Sequence, residues 1–357
     1  MNKQRIPTFI VGALVGILIA TIMFSFIVRS NNSIDESHTN QSNSNVTLVK
    51  QDRPQKARTL QLAHNLGQHD PVHIAMEKFA ELVTKHSNGS LKVVIYPNAT
   101  LGTQTQCLEN LQQGQLAMTK SSAAPIENFI PEYAVFSLPY VFKNNEHYWQ
   151  ILNGPIGQEL LTLGKNKGLI GICYYDAGAR SFYTKTKPIM TPDDLDKVKI
   201  RVMKSSPTAV KLISTLGGSP TPMNFGDLYT GLQSNLVGGA ENNLPSYLNS
   251  RHYEVTKYYS FNEHTRVPDM LLFSTEIWDT LNEQQQTWIK QAAQESSDFQ
   301  RTLWEKASSE ALEKIKAAGV EVSYPNPTPF RARVKPMHDQ AMNTAAGPYL
   351  KRILETP

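Results

Sequence analysis

What this chain can fold into is limited first by one uninterrupted run. From Glu283 to Ala318 there is neither glycine nor proline, and Trp288, Ile289, Ala292, Trp304, Leu312 and Ile315 recur at roughly helical spacing. A single helix over that span measures about 54 Å at 1.5 Å per residue. An ordinary lobe is shorter, so the run bends, breaks at an unmarked point, or spans two lobes. The length of 357 residues points the same way, since it exceeds one small domain and suits two lobes with cores of their own.

The rest of the body alternates between strand and helix patterns. Thr59 to Ala63 and Leu91 to Tyr96 read as strands. Between them Asp70 caps a helix with Pro71 at its first position, and the helix runs to Ser87 before Asn88-Gly89. A second helix spans Gln104 to Gln113 and ends at Gly114. Gly168 to Tyr175, Arg180 to Lys185, Tyr258 to Phe261 and Leu271 to Phe273 add strands, and Thr191-Pro192-Asp193-Asp194 starts a short helix. Strand, helix and strand in this rhythm predict an α/β fold built from βαβ units.

Residues 1–30 read as a targeting segment. Lys3 and Arg5 precede an uncharged stretch from Phe9 to Val28, longer than the usual apolar region of a signal peptide and without a small-residue cleavage site. Both a cleaved signal and an uncleaved membrane anchor fit, and the N-terminal charges favour a body outside the cytoplasm. Residues 31–57 are Asn- and Ser-rich, a flexible linker.

Composition excludes several classes. Lys and Arg are scattered and the net charge is only +4, so no nucleic-acid footprint exists. Cys107 and Cys173 form either one disulfide or two buried thiols, and neither belongs to a metal-ligand spacing. His69 and His73 stand four apart, but Pro71 lies between them and no third ligand is evident, so no metal is expected. No nucleophile elbow, HExxH, P-loop or dinucleotide fingerprint is present. Asp193 and Asp194 are adjacent on a first helical turn and do not face each other, so they are not a hydrolytic pair.

One stretch carries a task. In Lys199-Ile200-Arg201-Val202 the alternation puts Ile200 and Val202 on one face and Arg201 on the other, away from that strand's core. A helix from Pro207 to Leu216, a Pro-rich turn through Met223 and a helix from Phe225 to Gln233 follow. The stretch closes on Gly238-Gly239-Ala240-Glu241-Asn242-Asn243. A guanidinium fork matches a carboxylate bidentately, and Asn amides both donate and accept around neighbouring hydroxyls. Taken singly, these residues also suit an ordinary ion pair and a turn.

The order KIRV, GGSPTPM, LYTGLQ and GGAENN resembles the solute-binding proteins of TRAP transporters, the DctP-type family, and the similarity runs from about Leu60 to the C-terminus. It implies a two-lobe fold like that of periplasmic binding proteins, with hinge strands and one long interlobe helix. Lobe I then takes 58–179 and 265–300, and lobe II takes 180–264 and 301–357. By the resemblance Arg201 is the principal carboxylate anchor, Arg180 a second donor, Asn242 a partner for the carboxylate or a hydroxyl, Phe225 a flanking aromatic and Asn65 a contact from the first strand.

Lys120, Glu109, Glu263 and, more remotely, His64 complete the candidates. Sialic-acid binders of the family carry a glutamate in the loop aligned with Ser122, a departure that argues against sialic acid here. The stretches around Tyr174 to Arg180 and His252 to Thr265 look more like the sugar-acid branch, so a uronate such as glucuronate or galacturonate is expected, delivered to TRAP permease subunits in the membrane. No cofactor and no catalysis are implied. Competing readings are a C4-dicarboxylate or other organic-acid binder of the same family, a ligand-sensing protein for a membrane receptor, and a periplasmic hydrolase of acidic sugars.

Overall fold

The computed structural model describes residues 57–357. The expected targeting segment and the linker up to residue 56 lie outside the described residues. Two sheets organise the body. The first has five strands in the order β2-β1-β3-β10-β4, where β1 is Arg58–Ala63, β2 Leu91–Tyr96, β3 Met118–Ser122, β4 Leu169–Tyr175 and β10 Asp269–Ser274. Here β1 runs parallel to β2 and β3, and β10 is antiparallel to β3 and β4. The helix Pro71–His86 links β1 to β2 and the helix Gln104–Gln112 precedes β3, as the βαβ rhythm predicts.

The second sheet has six strands in the order β11-β9-β5-β8-β6-β7. These are β5 Arg180–Thr184, β6 Lys199–Met203, β7 Ser219–Met223, β8 Gly239–Asn242, β9 Tyr258–Thr265 and β11 Glu321–Ser323. The chain passes between the sheets directly after β4 and again from β9 to β10, which makes these two links the hinge. Gly178 sits in the first link at φ +60, and a Cβ there would lie 3.0 Å from the Trp304 indole nitrogen, so only glycine fits without displacement.

The glycine- and proline-free run is one helix, Glu283–Ala317, started by a reciprocal cap between Asn282 and Gln285. Its first half buries Ile289, Ala292 and Ala293 with Phe79, Val83 and Phe273 under the first sheet; its last turns bury Ile315 with Tyr183 and Tyr259 under the second. Each fully buried large apolar side chain contributes about 2 kcal/mol. The helix therefore belongs to both cores, and the two-lobe α/β architecture is as expected.

Three elements differ from expectation. Met118–Ser122, read from the sequence as a loop, is the strand β3, buried throughout. Its polar side chains are accommodated by bonding, Thr119 Oγ1 to Ala63 O at 2.9 Å and Ser121 Oγ to Gln104 Oε1 at 3.2 Å. The Pro-rich turn is the strand β7, possible because it is an edge strand paired only with β6, so the missing proline N–H groups cost no ladder bond. Finally Gly347–Glu355, assigned to lobe II, folds back on lobe I: Leu350 and Ile353 join the core of Phe136 and Leu160, and Tyr349 and Arg352 bond Glu159 at 2.8 and 2.7 Å. Cys107 and Cys173 are buried free thiols, which leaves the disulfide alternative unfulfilled.

Candidate ligand-binding site

Between the sheets lies a cleft whose walls carry Arg201, Arg180, Asn242, Asn65, Phe225 and Lys120. Strand alternation puts Arg201 where the sequence predicts, with Ile200 and Val202 in the core of the second lobe and the guanidinium on the opposite side, 2% exposed. Its Nε donates to Met223 O at 2.9 Å, and no carboxylate pairs with it among the described residues. Phe225 lies under it, 5.9 Å from ring centre to Cζ. Burial lowers the guanidinium to about 10, so it stays charged at neutral pH but at a cost that an anion would remove.

The other two cations are already neutralised. Arg180, at the start of β5, forms a short bidentate pair with Glu241 through Nε and Nη2, and Nη2 also donates to Glu241 O at 2.7 Å. Its Nη1 donates to Asn242 Oδ1 at 2.9 Å. Burial alone would raise the Glu241 carboxyl, but the Arg180 guanidinium and His264, 3.5 Å away, outweigh it and hold the group at about 2. Lys120 pairs with Asp269 at 2.9 Å, both buried. The cleft thus carries one uncompensated positive charge, on Arg201.

The glycines of GGAENN have a local reason. A Cβ on Gly239 would come within 2.5 Å of Tyr183 O, so the strand β8 can lie against β5 only with glycine there, and this sets Glu241 and Asn242 beside Arg180. Asn242 Oδ1 is occupied by Arg180 and by Asn243 N, leaving its amide N–H groups for the cleft. Asn65 Oδ1 is buried with no partner among the described residues. Ser122 also lines the cleft, its N–H tied to Gln104 Oε1 at 2.8 Å.

Three candidates stand elsewhere. Glu109 is exposed on the helix that presents Gln104 to the cleft; five residues on, it lies about 140° round that helix. Glu263, at φ +46, turns outward from β9 and pairs with Arg266 at 3.2 Å on the far side of the hinge. His64 is buried behind the wall, its Nε2 2.9 Å from His73 Nδ1, and burial with the Lys120 and His73 charges lowers it to about 3, so it is neutral. His73 is paired with His64 rather than with His69, and no cluster of three metal-ligating groups exists among the described residues.

Gln104, Asp269, Asn243 and Ser246 line the cleft without having been singled out. Asn243 and Glu241 flank Asn242 in the same motif, a signal available in the sequence. Asp269 and Gln104 had none, because Asp269 meets Lys120 only through the pairing of β10 with β3, and Gln104 reaches Ser121 and Ser122 only where its helix packs beside β3.

The model for bacterial extracellular solute-binding protein, family 7, matches residues 62–345. The chain belongs to that family. A family member, the solute-binding protein of Chromohalobacter salexigens, is 36% identical over 267 residues, covering 74% of this chain and 79% of its own. A TRAP periplasmic solute-binding protein of Bradyrhizobium, solved with α/β-D-galacturonate, superposes with a TM-score of 0.81 at 37% identity over 84% of this chain and all of the other. One from Roseobacter denitrificans, solved with β-D-glucuronate, gives 0.81 at 33% over the same shares. The family resemblance and the fold expected from it are borne out.

Proposed function

We propose that this protein captures a uronate, glucuronate or galacturonate, by closing its lobes and delivers it to the membrane subunits of a TRAP transporter. The observation that carries this is Arg201, a buried guanidinium with no carboxylate partner among the described residues in a cleft where Arg180 and Lys120 already have theirs. A single carboxylate completes the charge balance. Asn65 Oδ1, the Asn242 amide and the Lys120–Asp269 pair then supply acceptors and donors suited to ring hydroxyls. The galacturonate and glucuronate held by the two solved relatives support the same ligand class.

A C4-dicarboxylate would bring a second charge to a cleft whose remaining cations are engaged, and desolvating an unpaired carboxylate costs several kcal/mol. No reaction on the solute is part of the proposal; its place of action is the periplasm or the outer face of the cytoplasmic membrane. The test is a thermal-shift screen of the purified protein against uronates, aldonates, C4-dicarboxylates and sialic acid. A ligand at a hundred times its Kd adds about 2.7 kcal/mol. Shifts with uronates and none with dicarboxylates are expected; a shift with dicarboxylates alone would discard the sugar acid and keep the transport role.

A further inference from the structure

The helix Pro207–Thr215 begins at the end of β6, beside the cleft, and its first turn is almost fully satisfied within its own lobe. Pro207 has no N–H, Ser206 Oγ accepts from Ala209 N at 3.2 Å, and Ser206 O accepts from Val210 N at 3.1 Å. The remaining donor is Thr208 N, and its acceptor is on the other lobe: Glu127 Oε1, at 2.9 Å. Glu127 follows the single turn Ala123–Ile126 after β3, is 7% exposed, and its Oε2 has no partner among the described residues. Two further bonds reach the same turn from the first lobe, Asn128 Nδ2 to Ser205 O and Thr105 Oγ1 to Ser205 Oγ at 3.2 Å.

We propose that Glu127 is the clasp of the closed state, a positioning residue that sets how long the bound acid stays without touching it. The reasoning is that all three bonds join the lobes and none of the three first-lobe residues is needed to complete its own lobe's sheet. When the lobes part, Thr208 N turns to water and the Glu127 carboxylate regains full hydration, so the bond exists only with the cleft shut. A carboxylate at a helix N-terminus is a charge-assisted acceptor in the favourable direction of the helix dipole. Its burial, which raises the carboxyl above its ordinary value, is a cost that the Thr208 bond offsets in part.

This rests on the binding role proposed above, and two readouts keep the claims apart. Uronate binding by the wild type tests the role alone. The clasp is tested by stopped-flow dissociation of galacturonate, or of whichever acid the screen identifies, from wild type, Glu127→Ala and Glu127→Gln. Loss of one charge-assisted bond raises the dissociation rate about tenfold in Glu127→Ala, with association within about twofold of wild type. Glu127→Gln keeps an acceptor for Thr208 N and recovers most of the residence time, and the ranking of acids is unchanged in both. Amide exchange at Thr208, measured with the acid bound so that the cleft is shut, is faster in Glu127→Ala than in wild type. Dissociation within twofold of wild type in Glu127→Ala, an altered ranking of acids, or equal Thr208 exchange in the two proteins would overturn the clasp.

Discussion

Arg201 is costly to the empty protein and valuable to the filled one. Replacing it with alanine removes a buried, unpaired charge, so the unliganded melting temperature should hold or rise, while uronate affinity falls more than a hundredfold, about 3 kcal/mol or beyond. Calorimetric titration beside a melting curve checks both; unchanged affinity would remove Arg201 from the anchor role. Arg201→Lys should also bind weakly, since a point charge does not reproduce the fork. Asp70 gives a pH prediction. It caps the helix Pro71–His86 and accepts from Val72 N at 2.9 Å, and burial raises its carboxyl from 3.8 to about 6. The folded chain therefore holds this proton more tightly than the unfolded one. That contribution is complete below pH 3.8 and lost as pH rises through 6, about 3 kcal/mol in all. Asp70→Asn keeps the cap, so it should raise the melting temperature at pH 8 and leave it nearly unchanged at pH 4. At this scale the sequence was informative where one strand's alternation decides the matter, as for Arg201. It did not name the partner where that partner comes from another strand, as for Lys120 with Asp269 and Arg180 with Glu241.

The long helix Glu283–Ala317 does more than fill two cores. Gln300 clamps the hinge link, donating to Asp176 O at 2.8 Å and accepting from Asp176 N at 2.7 Å, and Ser297 Oγ donates to Tyr174 O at 2.6 Å. Gln300→Ala leaves a buried N–H and C=O of the hinge without partners, a loss of about 1–3 kcal/mol. A melting temperature lower by several degrees is expected, and a change under one degree would show that water replaces the amide. This helix was legible because it lacks glycine and proline over its whole length. Strand β3 was not: Thr-Lys-Ser-Ser has little β pattern, and it is a central strand only because β1 and β10 flank it. Strand β7 was hidden by Pro220 and Pro222, which an edge position tolerates.

For the molecule as a whole, uronate binding should lower the radius of gyration measured by small-angle X-ray scattering, and Arg201→Ala should show no such change at the same concentration. An identical profile with and without ligand in wild type would mean that the cleft does not open. The tail bears on how that motion is constrained. Besides the links after β4 and β9 and the long helix, the chain returns to lobe I through Gly347–Glu355, whose Arg352 and Tyr349 hold Glu159. Several tethers together leave the lobes little freedom to slide or tumble and confine them to swinging about the adjacent links after β4 and β9. Few alternative arrangements then exist to be given up on capture, so most of the attraction between protein and solute is retained as affinity.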